Sequence, residues 1–332
     1  MANEITQVNK QTIWTFWNKL TGSTPDNVGD LVRQYVHEEV VWNGPHPLNQ
    51  IRGRDELISR YWQPLLHAFP HLRRRTDILF GGGFDGHDWV CATGYLIGRF
   101  MHDWLGISAT GAGTYLRFGE FSSLRDGKID QTYLILDILD VLRQAGVRLP
   151  PNYGGQEWVA PGPTTEDGVL LAPQDDVESA KSLDLVEAMI FKGLRSYDGA
   201  DMKVMGMGRY WHPDMFWFGP CGIGTTYGLK GFEESHQAPF LRAFPDRVGG
   251  NHKARFAEGM YVASTGWPSL RCTHTGEYLG VPATGNKIGM RVMDWWRREG
   301  DLLVENWVFI DMVDVFLQMG VDIFAQLQHQ SK

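Results

Sequence analysis

Cysteine is scarce in this chain of 332 residues. There are three, Cys91, Cys221 and Cys272, far apart and with no CxxC spacing. That excludes a disulfide scaffold or a cysteine-rich zinc module and fits a reducing cytoplasm. Positive charge is also short: 31 Lys and Arg against 39 Asp and Glu give a formal net charge of −8. Such a balance argues against nucleic acid or an anionic membrane as the main partner. No window approaches ~18 uninterrupted apolar residues, so no bilayer span is expected. The opening MANEITQVNKQTIW lacks the basic and apolar regions of a secretory signal. Neither a GxGxxG after a strand nor a P-loop occurs, which removes nucleotide-fold readings. The expectation is a soluble, cytoplasmic chain.

Large aromatics and glycine are plentiful, with 13 Trp, 17 Phe and 39 Gly. Hydrophobic residues make up 43% and charged residues 21%, a globular composition, and the length favours two domains. Internal repetition explains that length. Tyr35-Val-His-Glu-Glu-Val-Val-Trp-Asn-Gly-Pro45 is echoed by Tyr210-Trp-His-Pro-Asp-Met-Phe-Trp-Phe-Gly-Pro220, and Ala68-Phe69-Pro70 by Ala243-Phe244-Pro245, both at an offset of 175. Leu105-Gly-Ile-Ser-Ala-Thr-Gly111 returns as Leu279-Gly-Val-Pro-Ala-Thr-Gly285, and Asp137–Gly146 as Asp311–Gly320, both at an offset of 174. Four blocks in one order describe a tandem duplication. The stretch from Leu149 to Gly168 is rich in Pro and Gly and reads as a linker. The expected division is a first domain over 1–149, a linker over 150–178 and a second domain over 179–332.

Within the first repeat, apolar spacing predicts a helix over 5–20, a short helix over 30–36 and a third over 54–69 ended by Pro70. Strand-like runs follow at 73–80, 89–99, 114–122 and 131–136, punctuated by Gly81-Gly-Gly83, Gly111 and Asp126-Gly127. A last short helix runs from Asp137 to a C-terminal glycine at 146. Helices first and consecutive strands afterwards mean an α+β fold with a mostly antiparallel sheet.

The second half carries Thr273-His274-Thr-Gly-Glu-Tyr-Leu-Gly280, Val281-Pro-Ala-Thr-Gly285, Glu305-Asn-Trp307, Asp311 and Leu317-Gln-Met-Gly320. Ala243-Phe-Pro-Asp246 and Trp217-Phe-Gly-Pro220 accompany them. In these segments the chain resembles the SnoaL-like polyketide cyclase family, within the nuclear-transport-factor-like superfamily. The first half resembles it less closely, with Arg99-Phe-Met-His102 where the second has Thr273-His-Thr-Gly. The resemblance implies cone-shaped domains with a helix-lined bent sheet around an aromatic pocket. It also implies an intramolecular pseudo-dimer of the two repeats, a small hydrophobic molecule as partner, and neither metal nor organic cofactor. Further homo-oligomerisation stays open.

In such cyclases an aspartate near the end of the last strand serves as acid and base in an intramolecular aldol closure, and the matching positions are Asp137 and Asp311. One carboxyl can serve both steps if burial holds its pKa well above ~3.9. The same residues also read as helix N-caps. Arg117 and Arg291, at an offset of 174, read either as carboxylate or substrate partners or as exposed residues pairing with Glu120 or Asp294. His274 reads as a second proton-transfer group or a wall residue. His37 and His212 read as structural, and Pro70 between His67 and His71 removes a zinc site. Trp42, Trp217, Tyr133 and Trp307 are candidate pocket walls, with core packing as the alternative. Arg73-Arg-Arg75 reads as a solvated face.

The functional expectation is a cofactor-free aldol-type cyclase or isomerase acting on a small hydrophobic carbonyl compound. The alternatives are an epoxide hydrolase of the same superfamily, which needs a converging Asp-Arg-Asp group, and a non-catalytic small-molecule binder. One degenerate repeat serving only as a structural partner is a further reading.

Overall fold

A computed structural model describes residues 2–149, 151, 152 and 154–330. The chain divides into two compact units. One runs to Arg148 and takes in Thr164–Pro173 and the chain from Asp322; the other comprises Leu149–Pro163 and Gln174–Val321.

The first unit begins with helices α1 (Ala2–Leu20) and α2 (Val28–Tyr35), then strands β1 (Val36–Asn43) and β2 (Gln50–Arg52). Helix α3 (Arg54–Leu57) continues through a π turn (Ile58–Trp62) into α4 (Gln63–Ala68). Strands β3 (Arg73–Phe84), β4 (His87–Arg99), β5 (Gly113–Arg125) and β6 (Lys128–Leu136) precede α5 (Ile138–Gln144). The sheet order is β2-β1-β6-β5-β4-β3, antiparallel except where β1 and β6 run parallel. The strands extend further than periodicity predicts. Gly81–Gly83 lie inside β3 rather than ending it, because Gly81 admits α1: a Cβ there would stand 2.7 Å from Thr6 Cγ2. Asp126 and Gly127 both have positive φ and make the tight β5–β6 turn, as Asp-Gly in a hairpin should.

The second unit repeats this plan. Helix α6 (Asp176–Ala188) and short helical turns lead to β7 (Trp211–Phe218) and β8 (Thr225–Tyr227). Helix α7 (Gly228–Phe232), a π turn (Glu233–Gln237) and α8 (Ala238–Ala243) follow. Then come β9 (Val248–Gly249), β10 (His252–Glu258), β11 (Tyr261–Thr273), β12 (Lys287–Glu299), β13 (Leu302–Ile310) and α9 (Met312–Gln318). The order is β10-β11-β12-β13-β7-β8 with β9 on β11. The closing helix α10 (Ile323–Gln330) belongs to the first unit, where Phe324 meets His46 at 5.9 Å.

Both sheets are open, and the Pro/Gly-rich segment covers an edge of each. Gln156 exchanges backbone hydrogen bonds with Thr225 of β8, while Leu79 of β3 donates to Gly168 O and accepts from Leu170 N. Covered edges leave fewer unpaired backbone groups for pairing with other chains. The Trp-x-Gly-Pro motif also has a local cause. The Trp42 ring folds back over Gly44 and the Trp217 ring over Gly219, leaving no room for a Cβ at either glycine. Among the described residues no helix is long and apolar enough to cross a membrane.

Candidate functional site

Side chains alternate faces along a strand, and directly paired residues share a face. Trp42 of β1 pairs with Ile51 of β2 and Thr132 of β6, and Thr132 pairs with Ser122 of β5. The face holding Trp42, Thr132 and Glu120 lies under the helices, where Tyr61 of the π turn meets Trp42 at 4.6 Å. The space enclosed by Trp42, Tyr61, Trp62, Glu120, Thr132 and Leu134 measures about 20 Å³, room for about one water molecule.

What fills this first cone is an internal ion pair. Arg74 Nη1 donates to Glu120 Oε2 at 3.0 Å, with both side chains nearly sealed from water. Arg74 thus departs from the solvated face expected of the Arg73-Arg-Arg75 run, because alternation turns the middle arginine inward. The guanidinium is clasped between Trp17 and Phe118, 3.5 and 3.8 Å from their ring centroids, an arrangement that favours a flat cation. Glu120 Oε1 accepts from Ser122 Oγ, so the carboxylate is hydrogen-bonded on both oxygens. Burial, with Glu120 adding to it, raises the Tyr61 pKa and keeps that phenol neutral.

The second cone has the same frame and different chemistry. Trp217 of β7 pairs with Thr226 of β8 and Asn306 of β13, and Asn306 Nδ2 donates to Asp294 Oδ1 at 3.4 Å. Asp294 therefore stands where the first repeat has Glu120. Arg74 pairs with Leu96 in the first sheet, but Leu270, the equivalent of Leu96, pairs with Gly249. No guanidinium is supplied at that position. Burial pushes the Asp294 carboxyl up to about 7, opposed by the Asn306 hydrogen bond. In place of Tyr61 stands His236, stacked on Trp217 at 4.2 Å and flanked by Phe232 and Phe240. Burial lowers the His236 pKa to about 3, so its imidazole is neutral at physiological pH.

The residues singled out from sequence separate into two sets. Trp42 and Trp217 stand on the helix-covered faces. Tyr133 pairs with Asn43, and Trp307 with Phe218, one residue out of phase, so both occupy the opposite faces. Trp307 stacks on Phe218 at 5.5 Å and donates from Nε1 to Pro161 O at 2.9 Å. Arg117 and Arg291 alternate to these same opposite faces. Arg117 is buried rather than exposed, and its carbonyl accepts from Asp137 N at 2.9 Å. Arg291 Nη1 donates to Asp311 Oδ2 at 3.0 Å and lies 3.8 Å from Asp314. These two aspartates, rather than Asp294, are its acidic neighbours, on the other side of the sheet from Asp294.

Asp137 and Asp311 are both buried, and both cap helices. Asp137 Oδ1 accepts from Asp140 N at 3.1 Å, and Asp311 Oδ1 from Asp314 N at 3.4 Å. The two oxygens of Asp311 are thus shared between cap and arginine. An Asp-Arg-Asp grouping does exist in Asp311, Arg291 and Asp314, but outside the helix-covered face.

His274 is fully buried, 5.5 Å from Phe244, with Nδ1 3.0 Å from Thr284 Oγ1. Its counterpart in the first repeat is Phe100, which stacks on Phe69 at 4.7 Å. Burial lowers the His274 pKa. His67 stacks on His102 at 4.2 Å rather than meeting His71. Asp294 and His236 carried a signal in the sequence. Asp294 interrupts the apolar run Val292-Met293-Asp294-Trp295-Trp296, and His236 falls at the repeat position of Tyr61.

A helix-covered open sheet is thus written twice, and the chain matches a family model over each copy. The family model for SnoaL-like polyketide cyclases covers residues 12–145 and again 195–319. The chain belongs to the SnoaL-like polyketide cyclase family, as a tandem pair. Among solved structures it is similar to AclR from Streptomyces galilaeus, at 23% identity over 43% of this chain and 97% of that one, TM-score 0.34. It is also similar to IdmH from Streptomyces antibioticus (23%, 42% and 99%, TM-score 0.33) and to TsrD from Streptomyces laurentii (21%, 42% and 97%, TM-score 0.34). No curated protein matches the sequence.

Proposed function

We propose that the chain is a cofactor-independent acid/base catalyst acting on a small hydrophobic carbonyl compound, with the second unit carrying the reaction. The observation that supports this is Asp294: a largely enclosed carboxyl with no cation beside it among the described residues, its pKa raised to about 7. Near neutral pH such a group is present in both protonation states. In an aldol closure it takes a proton from the carbon beside a carbonyl. That carbon bonds to the second carbonyl carbon as the C=O π pair moves to oxygen, and the carboxyl returns the proton to this oxygen. In an isomerisation the proton goes back to another carbon instead. Trp217, His236 and Phe232 supply an apolar wall that keeps water from the enolate. In the first unit the Arg74–Glu120 pair occupies the equivalent space, so this unit acts as the structural partner.

In this reading Asp137, Asp311 and Arg291 hold the last helix to the sheet, and His274 packs the wall. The epoxide-hydrolase alternative needs its Asp-Arg-Asp group inside a cone, and Arg291 alternates to the other face. The test needs no native substrate. Exchange of the methyl protons of 4′-hydroxyacetophenone is followed by NMR in deuterated buffer at neutral pH. Wild-type protein is expected to accelerate exchange over buffer and Asp311→Asn to retain most of that rate. Asp294→Asn is expected to fall to the buffer rate; exchange undiminished in Asp294→Asn would end the proposal.

A further inference from the structure

Three buried polar atoms in the second unit have no hydrogen-bond partner among the described residues: His236 Nδ1, Gln237 Oε1 and Thr226 Oγ1. Buried polar groups are nearly always satisfied, because an orphan forfeits its bonds to water and gains none. Thr226 is paired with Trp217 on the face that carries Asn306 and Asp294. His236 stacks on Trp217. Gln237 follows His236 in the π turn and is the repeat counterpart of Trp62, which lines the first cavity. At the same positions the first unit has Ile51, Tyr61 and Trp62. The second unit has therefore exchanged an aliphatic side chain for a hydroxyl, a phenol for an imidazole, and an indole that only donates for an amide that also accepts.

We infer that Gln237 and Thr226, beside the neutral His236, select a ligand that bears a hydroxyl group in addition to its carbonyl and carries no negative charge. The inference rests on the second cone being the ligand site, as proposed above. Gln237 Oε1 only accepts, so a carbonyl oxygen leaves it unsatisfied and a ligand O–H satisfies it. Thr226 both donates and accepts, so it too can bond a ligand hydroxyl. A site with buried polar groups discriminates strongly against an analogue lacking the matching group, because those groups then stay unpaired. The charge selection follows from Gly249, which stands where Arg74 neutralises a carboxylate in the first unit. An anionic ligand would face Asp294 with no guanidinium at that place.

The test is calorimetric titration of the full-length protein at pH 6.5 with 4′-hydroxyacetophenone, 4′-methoxyacetophenone and acetophenone. The expected result is hydroxy-ketone binding about tenfold or more tighter than binding of the methoxy compound. Gln237→Met and Thr226→Val are each expected to shrink that ratio at least threefold, with acetophenone bound as tightly as before or more tightly, because the unpaired groups that penalise it are gone. Thr226→Val is isosteric and carries the test if Gln237→Met does not fold. Equal affinity for the hydroxy and methoxy compounds in wild type, or an undiminished ratio in the folded variants, overturns the hydroxyl selection alone. Absence of binding by all three ketones overturns it together with the ligand site itself.

Discussion

Gly249 faces Leu270 on the second sheet at the ladder position where Arg74 faces Leu96 on the first. Such a pair of positions, a side chain of maximal reach against none, separates two units built on one plan. With Arg74 present, Glu120 is a partnered anion and the cone is filled. With Gly249, Asp294 has the Asn306 amide in place of a guanidinium, and burial pushes its pKa up to about 7.

Breaking the buried pair in the first unit leaves one charge uncompensated. Arg74→Leu is expected to destabilise the protein by roughly 3–5 kcal/mol, and Arg74→Met combined with Glu120→Leu to recover most of that loss, since a well-packed apolar replacement removes both desolvation costs. Urea denaturation midpoints at pH 7 measure both. A double variant no more stable than the single would contradict the plug.

Asp294 also sets a pH dependence. Its folded pKa, about 7, lies above the ordinary 3.8, so the folded state holds the proton more tightly than the unfolded chain. The stabilisation is full below pH ~4 and is lost as pH rises through about 7, by at most about 4 kcal/mol at ~1.4 kcal/mol per pH unit. Asp294→Asn should flatten this loss and be more stable than wild type at pH 8 by thermal melting.

His236 works in the opposite direction. Its folded pKa is lowered from 6.5 to about 3, so its contribution is present above pH ~6.5 and is lost as pH falls toward 3. His236→Tyr, the residue of the first unit, should reduce acid sensitivity between pH 6 and 4. Melting curves that superimpose on wild type across that range would refute the burial of a neutral imidazole.

The capping aspartates are expected to tolerate asparagine. Asp137→Asn should cost well under ~1 kcal/mol and Asp137→Ala about 1 kcal/mol. Asp311→Ala should cost more, because Arg291 also loses this ion pair. Chemical denaturation of the three variants, read beside proton exchange on the ketone, separates capping from catalysis.

His274→Phe copies Phe100 into the second unit. Because His274 Nε2 is buried without a partner among the described residues, the exchange is expected to leave the melting temperature unchanged or raise it, with ketone proton exchange retained. A fall in exchange without a fall in stability would return His274 to the reaction.

Much of this protein is legible in one dimension. The duplication is a matter of identity at fixed offset, and helices and strands follow from period because each amphipathic element buries one side locally. The N-caps at Asp137 and Asp311 and the glycines at 44 and 219 are also local: a cap bond spans three residues, and a folded-back tryptophan needs space two residues on. These features need no knowledge of neighbouring strands.

The site was different. Alternation shows that Tyr133 and Thr132 face opposite ways, but only the parallel pairing of β1 with β6 puts Trp42 beside Thr132 and away from Tyr133. Arg74 and Glu120 lie 46 residues apart, and nothing local announces that one neutralises the other. Burial, which moves Asp294 and His236 in opposite directions, arises when helices close over a sheet. The sequence alone thus determined a repeated SnoaL-like frame, because that information is periodic and local. Which cone keeps a chargeable carboxyl was decided by tertiary structure, because desolvation and ion pairing depend on what the rest of the chain brings near.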